Sequence, residues 1–256
     1  MGGRGSLSRN KHKFMYDKES IKSFMNKTGV RVIGADRITN KSLSLVSEAM
    51  LTLASLQKKH GKLIDTVVIG NNRSADFAFN SNFKIKKSDG KEVSVGRTLI
   101  IPKGTLQAGR KQVLKEVKYA NKHNIVVAKN IKQMITHEFG HAMHYALKRQ
   151  NIDLYNEFER KFTRLVNTPK ARVHLSQYAS SKAYNGKIGS HEYVAEAVTH
   201  IIRNTRTRKG QDMIDLVHDY IGRVDTVDFS RYGVKNRSTS QPKTTGRKIK
   251  RKRKTR

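Results

Sequence analysis

The eleven residues MITHEFGHAMH, 134–144, constrain this chain more than any other stretch, because His137 and His141 flank Glu138 at a spacing of four. Side chains four residues apart on an α-helix lie on one face, one turn apart. Two imidazoles so placed can bind one zinc ion at about 2.0–2.1 Å, and the glutamate, about 100° around the helix, can reach a water on that ion. Apolar residues on the other faces predict that this helix is buried: Ile131, Met134, Ile135, Phe139, Met143 and Ala146.

A third protein ligand is needed for a catalytic zinc, and the chain has no cysteine to supply it. A metzincin would have a histidine six residues after His141, but that residue is Leu147. His144 is too far along the helix axis to share the ion comfortably, so we expect it to pack or to support a ligand. The alternative to a metal site is a helix with scattered polar residues.

The segment SHEYVAEAVTHII, 190–202, is the better source of the third ligand. Glu192 and Glu196 lie one turn apart on one predicted helix face, with His200 a turn further, and Ser190 can cap the helix. One carboxylate can bind the metal while the other orients a ligand or its water. Periodicity alone does not choose between the two glutamates, which could also be solvated.

Hydrophobic periodicity predicts an α+β fold, since strands and helices are grouped rather than arranged as alternating βαβ units. Strands are predicted at 63–70, 75–85 and 97–104. Helices are predicted at 41–60, 105–122, 129–149, 151–167, from Ser190 onward, and at 211–223.

Three short segments, THEFGHAMH, LSQYAS (175–180) and EYVAEAV (192–198), resemble the metallopeptidase domain of anthrax lethal factor and related phage-encoded and toxin-associated peptidases. The resemblance covers about residues 40–203. It implies a zincin-like domain of the gluzincin type, with a small mixed sheet packed on the motif helix and further helices after it. It also implies an edge strand beside the cleft, for which TLIIPKG (98–104) is the candidate, although an ordinary core strand fits this segment equally well.

The same resemblance implies residue roles. His137, His141 and Glu192 would bind one zinc ion, Glu196 would support a ligand, and Glu138 would be the catalytic base. Tyr178 would be the catalytic tyrosine, with Tyr184 as the alternative. The implied activity is zinc-dependent hydrolysis of peptide bonds in a protein substrate.

Net charge is +33, and its largest concentration is in residues 235–256, with eleven basic residues and no acidic one. We predict a flexible basic segment at 1–15, a catalytic domain at 16–232 and a disordered basic tail at 233–256. The tail could bind nucleic acid nonspecifically, through Arg247, Lys248, Lys250, Arg251, Lys252, Arg253 and Lys254.

Two other functions stay open: a nucleic-acid-binding or virion-associated protein on a zincin fold, and a toxin-like effector protease. No apolar run approaches the ~18 residues of a membrane span, and the N-terminus has no apolar signal segment. Together with the resemblance to phage-encoded peptidases, this favours a protein of the host cytoplasm or the virion.

Overall fold

The computed structural model describes residues 18–72, 76–86, 89–180, 189–205 and 207–232. Across these residues the fold is mixed α+β, with one four-stranded sheet and eight α-helices. None of the described helices is both long and apolar enough to cross a membrane. The predicted tails at 1–15 and 233–256, with the seven cations named above, lie outside the described residues, as does Tyr184.

The sheet consists of β1 (Arg31–Ile33), β2 (Thr66–Asn71), β3 (Ala78–Lys86) and β4 (Glu92–Pro102), in the order β1-β2-β4-β3. Three strands run parallel, and β3 is antiparallel to β4. The prediction that 98–104 forms the edge strand is wrong, because β4 pairs on both sides. Its run of apolar residues is typical of a strand buried on both faces, whereas the polar alternation of β3 suits an edge.

The helices are α1 (Lys18–Thr28), α2 (Asn40–His60), α3 (Lys103–Lys122), α4 (Ile131–Gln150), α5 (Ile152–Val166), α6 (Gln177–Ser180), α7 (Ser190–Ile202) and α8 (Gln211–Ile221). Single 3-10 turns occupy Ala35–Arg37 and Ser230–Tyr232. Every predicted helix is present with slightly shifted ends. β1, α2 and β2 form one βαβ unit that the pattern did not anticipate, since a strand of three residues has no readable periodicity.

Helix α4 runs through the centre of the domain and packs against α2, α7 and β3. Most of its apolar side chains are fully buried, including Ile135, Phe139 and Met143, whereas Met134 is partly buried. Gly140 lies where α7 crosses: a Cβ on it would stand 2.8 Å from the Cα of Ala195. The absence of a side chain at Gly140 therefore lets the two helices approach closely, and this brings the acidic face of α7 to the histidines of α4.

Candidate metal centre

Helix α4 brings His137, Glu138 and His141 together as their spacing predicts. The helix begins after Asn130, whose side chain accepts a hydrogen bond from the backbone N–H of Gln133 at 3.0 Å. The imidazole rings of His137 and His141 are 4.9 Å apart and nearly perpendicular, at 86°. One ligand atom from each of the three residues lies within 4.8 Å of the others, so this group could hold a metal ion.

Glu192 approaches the same point from α7. Its Oε2 atom lies 3.2 Å from Nε2 of His137 and 3.6 Å from Nε2 of His141. This oxygen is buried, and it accepts no hydrogen bond from any part of the chain that the structure describes. A buried carboxylate oxygen without a partner is unfavourable. Two imidazole nitrogens and one carboxylate oxygen that face each other are a donor set that fits a cation.

Glu196 contacts the other nitrogen of the same imidazole. Its side chain is fully buried, and its Oε1 atom lies 3.3 Å from Nδ1 of His137. Its Oε2 atom accepts a hydrogen bond from the backbone N–H of Val127 at 2.7 Å, which fixes the carboxylate in place. A carboxylate on Nδ1 orients the ring so that Nε2 faces the metal position. Glu192 and Glu196, which periodicity could not separate, thus contact opposite sides of His137.

The electrostatics of the centre favour one positive charge. Burial lowers the pKa of His137, but its close contacts with the carboxylates of Glu192 and Glu196, at 3.2 and 3.3 Å, outweigh burial and raise that pKa to about 10. Burial, together with the charge on His137, lowers the pKa of His141 to about 3. In the protein without metal, the carboxylates therefore hold a proton on one histidine only. A divalent cation would displace that proton, so binding should release it.

Glu138 is oriented by the backbone of β3. Its Oε2 atom accepts a hydrogen bond from the N–H of Phe79 at 2.8 Å. Burial is the main cause that raises the pKa of Glu138 to about 7, against the opposing charge of His137. The strand beside the motif is therefore β3, not the predicted segment 98–104. The donor is a backbone N–H, which does not depend on the side chain, so the sequence could not predict this contact.

Tyr178, on the short helix α6, lies beside the motif. Its ring is 6.1 Å from that of His137, and 44% of the residue is exposed. Burial and the charges of Glu192 and Glu138 raise its pKa to about 12, so the hydroxyl keeps its proton at neutral pH. The hydroxyl can therefore donate a hydrogen bond into the cleft.

Two cavities, of about 540 and 550 Å³, share His137, Glu138 and Tyr178 in their walls. The first runs along residues 77–81 of β3 and its approach. The second is lined by apolar residues of α3 and of the segment before α4: Ala108, Val113, Val117, Ala120, Ile125, Val126 and Ala128. The side chains of the motif can therefore be reached through these two cavities, which together we call the cleft.

Three further histidines lie on α4 and α7. His144 packs against the rings of Tyr155 and Phe158, 3.4 Å from Glu159, and is not among the atoms that converge on the metal position. His200 lies away from the centre, where its Nδ1 atom forms a hydrogen bond of 2.8 Å with the hydroxyl of Thr205. His191 was not singled out from the sequence, although it precedes Glu192 directly; its Nε2 atom lies 3.4 Å from Oε1 of that glutamate.

Ser190 does not cap α7, contrary to the prediction. Gly189 occupies the N-cap position, and the Ser190 hydroxyl instead donates to Oε1 of Glu159 at 2.5 Å. This bond ties the start of α7 to α5. This contact therefore helps to keep Glu192, two residues later on α7, beside His137 and His141 of α4.

Comparisons with protein-family models, with curated proteins and with solved structures gave no match to this chain.

Proposed function

We propose that this chain is a zinc-dependent endopeptidase of the gluzincin type, on a zincin-like fold, that hydrolyses a protein substrate. The observation that carries the proposal is the position of the buried Oε2 atom of Glu192, which lies 3.2 and 3.6 Å from the Nε2 atoms of His137 and His141 and so faces both imidazoles. Two histidines and one carboxylate, without thiolate, form a frequent ligand set of catalytic zinc.

Three protein ligands leave one coordination position open, as catalytic zinc sites require. A zinc ion held by His137, His141 and Glu192 would polarise a carbonyl and lower the pKa of its water towards ~7. Glu196 would keep the His137 ring oriented through Nδ1. Of the 20 acidic residues in a chain with 53 basic ones, three meet at these two histidines, and a solvated helix face would not need that concentration.

Glu138 is suited to be the general base. The Phe79 N–H holds one of its oxygens, and burial raises the pKa of its carboxyl group above the usual range, which favours a group that takes and returns a proton. It would accept a proton from the attacking water and deliver it to the leaving amide nitrogen. Tyr178 would donate a hydrogen bond to the oxygen that develops negative charge.

The edge strand supports a peptide as the substrate. β3 pairs with β4 on one side only, among the strands that the structure describes, and it runs beside Glu138. An extended peptide can add to such an edge through backbone hydrogen bonds. The cavity along residues 77–81 leads from this edge to His141 and Glu192.

The test is Glu138→Gln in the full chain, with casein as substrate. We expect the variant to bind one zinc per chain and to lose at least about 100-fold in hydrolysis, since it keeps the ligands and loses the base. Glu157→Gln, on α5, is the control and should cleave at the wild-type rate until a chelator is added. Undiminished hydrolysis by zinc-loaded Glu138→Gln would contradict the assigned role. Wild-type protein that neither binds zinc nor cleaves would contradict the function itself.

A further inference from the structure

A basic groove lies between the start of α2 and α3, and none of the residues of the metal centre lines it. Two cavities, of about 810 and 660 Å³, adjoin there and share Lys41. No Asp or Glu lines either cavity within the described ranges. We call this surface the α2–α3 groove, and its cations are Arg37, Lys41, Lys103, Arg110, Lys111, Lys115 and Lys118.

Two features of the fold build the groove. At one end, Arg37 follows β1 and donates to the carbonyls of Ile69 at 3.3 Å and Gly70 at 2.9 Å, which holds its guanidinium at the carboxyl ends of the parallel strands. At the other, Gly109 bends α3 with φ 74°, and a Cβ there would lie 3.0 Å from Cγ of Lys41. The bend lets α3 close on the start of α2, which concentrates cations from two helices.

Beyond the bend, the lysines form a regular stripe. Lys111, Lys115 and Lys118 recur at spacings of four and three, so they share one helix face over about 10 Å. All three are exposed. Of the groove's cations, Arg110 is paired with a carboxylate, Glu48, at 2.9 Å. Clustered like charges repel one another, and a polyanion that neutralises several at once removes this cost and releases counterions.

An exposed aromatic ring adjoins the stripe. Tyr119 is 62% exposed, lies four residues after Lys115, and its ring centroid is 4.3 Å from that of His123. Nucleic-acid bases stack on exposed aromatic rings beside cations. We propose that the α2–α3 groove binds the phosphodiester backbone of nucleic acid, with Tyr119 as a stacking surface for an unpaired base.

This site is separate from the metal centre and does not depend on the proposed peptidase activity. The opposite face of α3, which includes Val113, Glu116 and Val117, lines the cavity that reaches His137. Helix α3 therefore has the cleft on one side and the groove on the other. Nucleic acid in the groove would leave the cleft open.

The test compares two triple variants in the full chain, so that both keep the basic segments outside the described residues. One replaces Lys111, Lys115 and Lys118 by Gln. The control replaces Arg160, Arg164 and Lys170 by Gln, which removes the same charge from exposed positions on and after α5. Binding to a labelled oligonucleotide, single-stranded and duplex, is measured by fluorescence anisotropy over a series of salt concentrations.

We expect the groove variant to lower the slope of log affinity against log salt by up to about 2 on a single strand and about 2.7 on a duplex. The control should lower it by less than half as much. Equal slopes for the two variants would overturn the proposal, because the total charge of the chain, and not the groove, would then determine the binding. A groove variant that loses binding to phosphatidylserine vesicles but not to oligonucleotides would overturn it too.

Tyr119→Ala separates stacking from charge. It should weaken single-strand binding several-fold, with little change in duplex binding or in the salt slope, because the ring is neutral. Unchanged single-strand affinity would contradict the role of Tyr119.

Discussion

Gly140→Ala tests how α7 is held against the motif helix. A Cβ at this position would lie 2.8 Å from the Cα of Ala195 and 3.2 Å from the Cβ of Val198, and carbon atoms in contact stay about 3.5–4.0 Å apart. Helix α7 must therefore shift by about 0.7 Å or more, since backbone atoms cannot rotate away. Metal–ligand distances tolerate only about 0.2 Å, and both Glu192 and Glu196 are on the helix that moves.

The expected cost has two parts. Overpacking should lower the free energy of unfolding by about 1–3 kcal/mol, and the higher helix propensity of alanine should offset up to about 1 kcal/mol of this loss. Zinc affinity should fall at least about tenfold, because one ligand and the group that orients another are displaced together. Denaturant unfolding measures the first change, and competition with a chelator of known affinity measures the second.

Gly104→Ala is the matched control, because a Cβ at Gly104 meets no atom within 4 Å. It makes the same substitution in a helix without displacing a neighbour, so zinc affinity should equal that of the wild type. If Gly140→Ala also binds zinc with wild-type affinity, the close crossing of α4 and α7 does not set the geometry of the centre, and the reasoning is refuted.

Three further predictions concern ligands, charge and pH. Glu192→Ala should weaken zinc binding far more than Glu196→Ala, for which about 10–100-fold is expected; the reverse order in chelator competition would make Glu196 the ligand. Deleting 235–256, outside the described residues, should flatten the salt dependence of nucleic-acid binding while hydrolysis persists, and an unchanged slope would show that the segment does not bind. Asp65→Asn should cost about 1 kcal/mol at pH 7, because hydrogen bonds from Arg97 at 2.8 Å lower the Asp65 pKa below 3.8. That stabilisation is complete above pH 3.8 and is lost as the pH falls through the lowered pKa, so unfolding curves that differ equally at pH 7 and pH 2 would contradict it.

Sequence patterns predicted six of the eight described helices, because apolar residues recur at helical spacing through each of the six; α1 and the four-residue α6 were missed. The motif helix was expected at 129–149 and runs from Ile131 to Gln150, with most of its apolar side chains buried. Periodicity also put Glu192 and Glu196 on one face of α7, but it could not tell which nitrogen of His137 each would face. That depends on the crossing of α4 and α7 at Gly140, which is a tertiary contact.

The sheet was harder to predict. β1 has three residues and no periodicity, so the βαβ unit with α2 was missed. The order of strands depends on which pairs form, and the resemblance pointed to β4 as the edge although its apolar run is typical of a central strand. Phe79 reaches Glu138 through its backbone N–H, a contact that any residue at that position could make.

Zinc X-ray absorption spectroscopy of the metal-loaded protein tests the central claim most directly, because it reports the ligands rather than activity. We expect one zinc per chain with two imidazole nitrogens at about 2.0–2.1 Å and carboxylate oxygen at about 2.0–2.2 Å. We also expect loss of one imidazole contribution in His141→Ala. Zinc bound without imidazole, or a spectrum that His141→Ala leaves unchanged, would contradict the account.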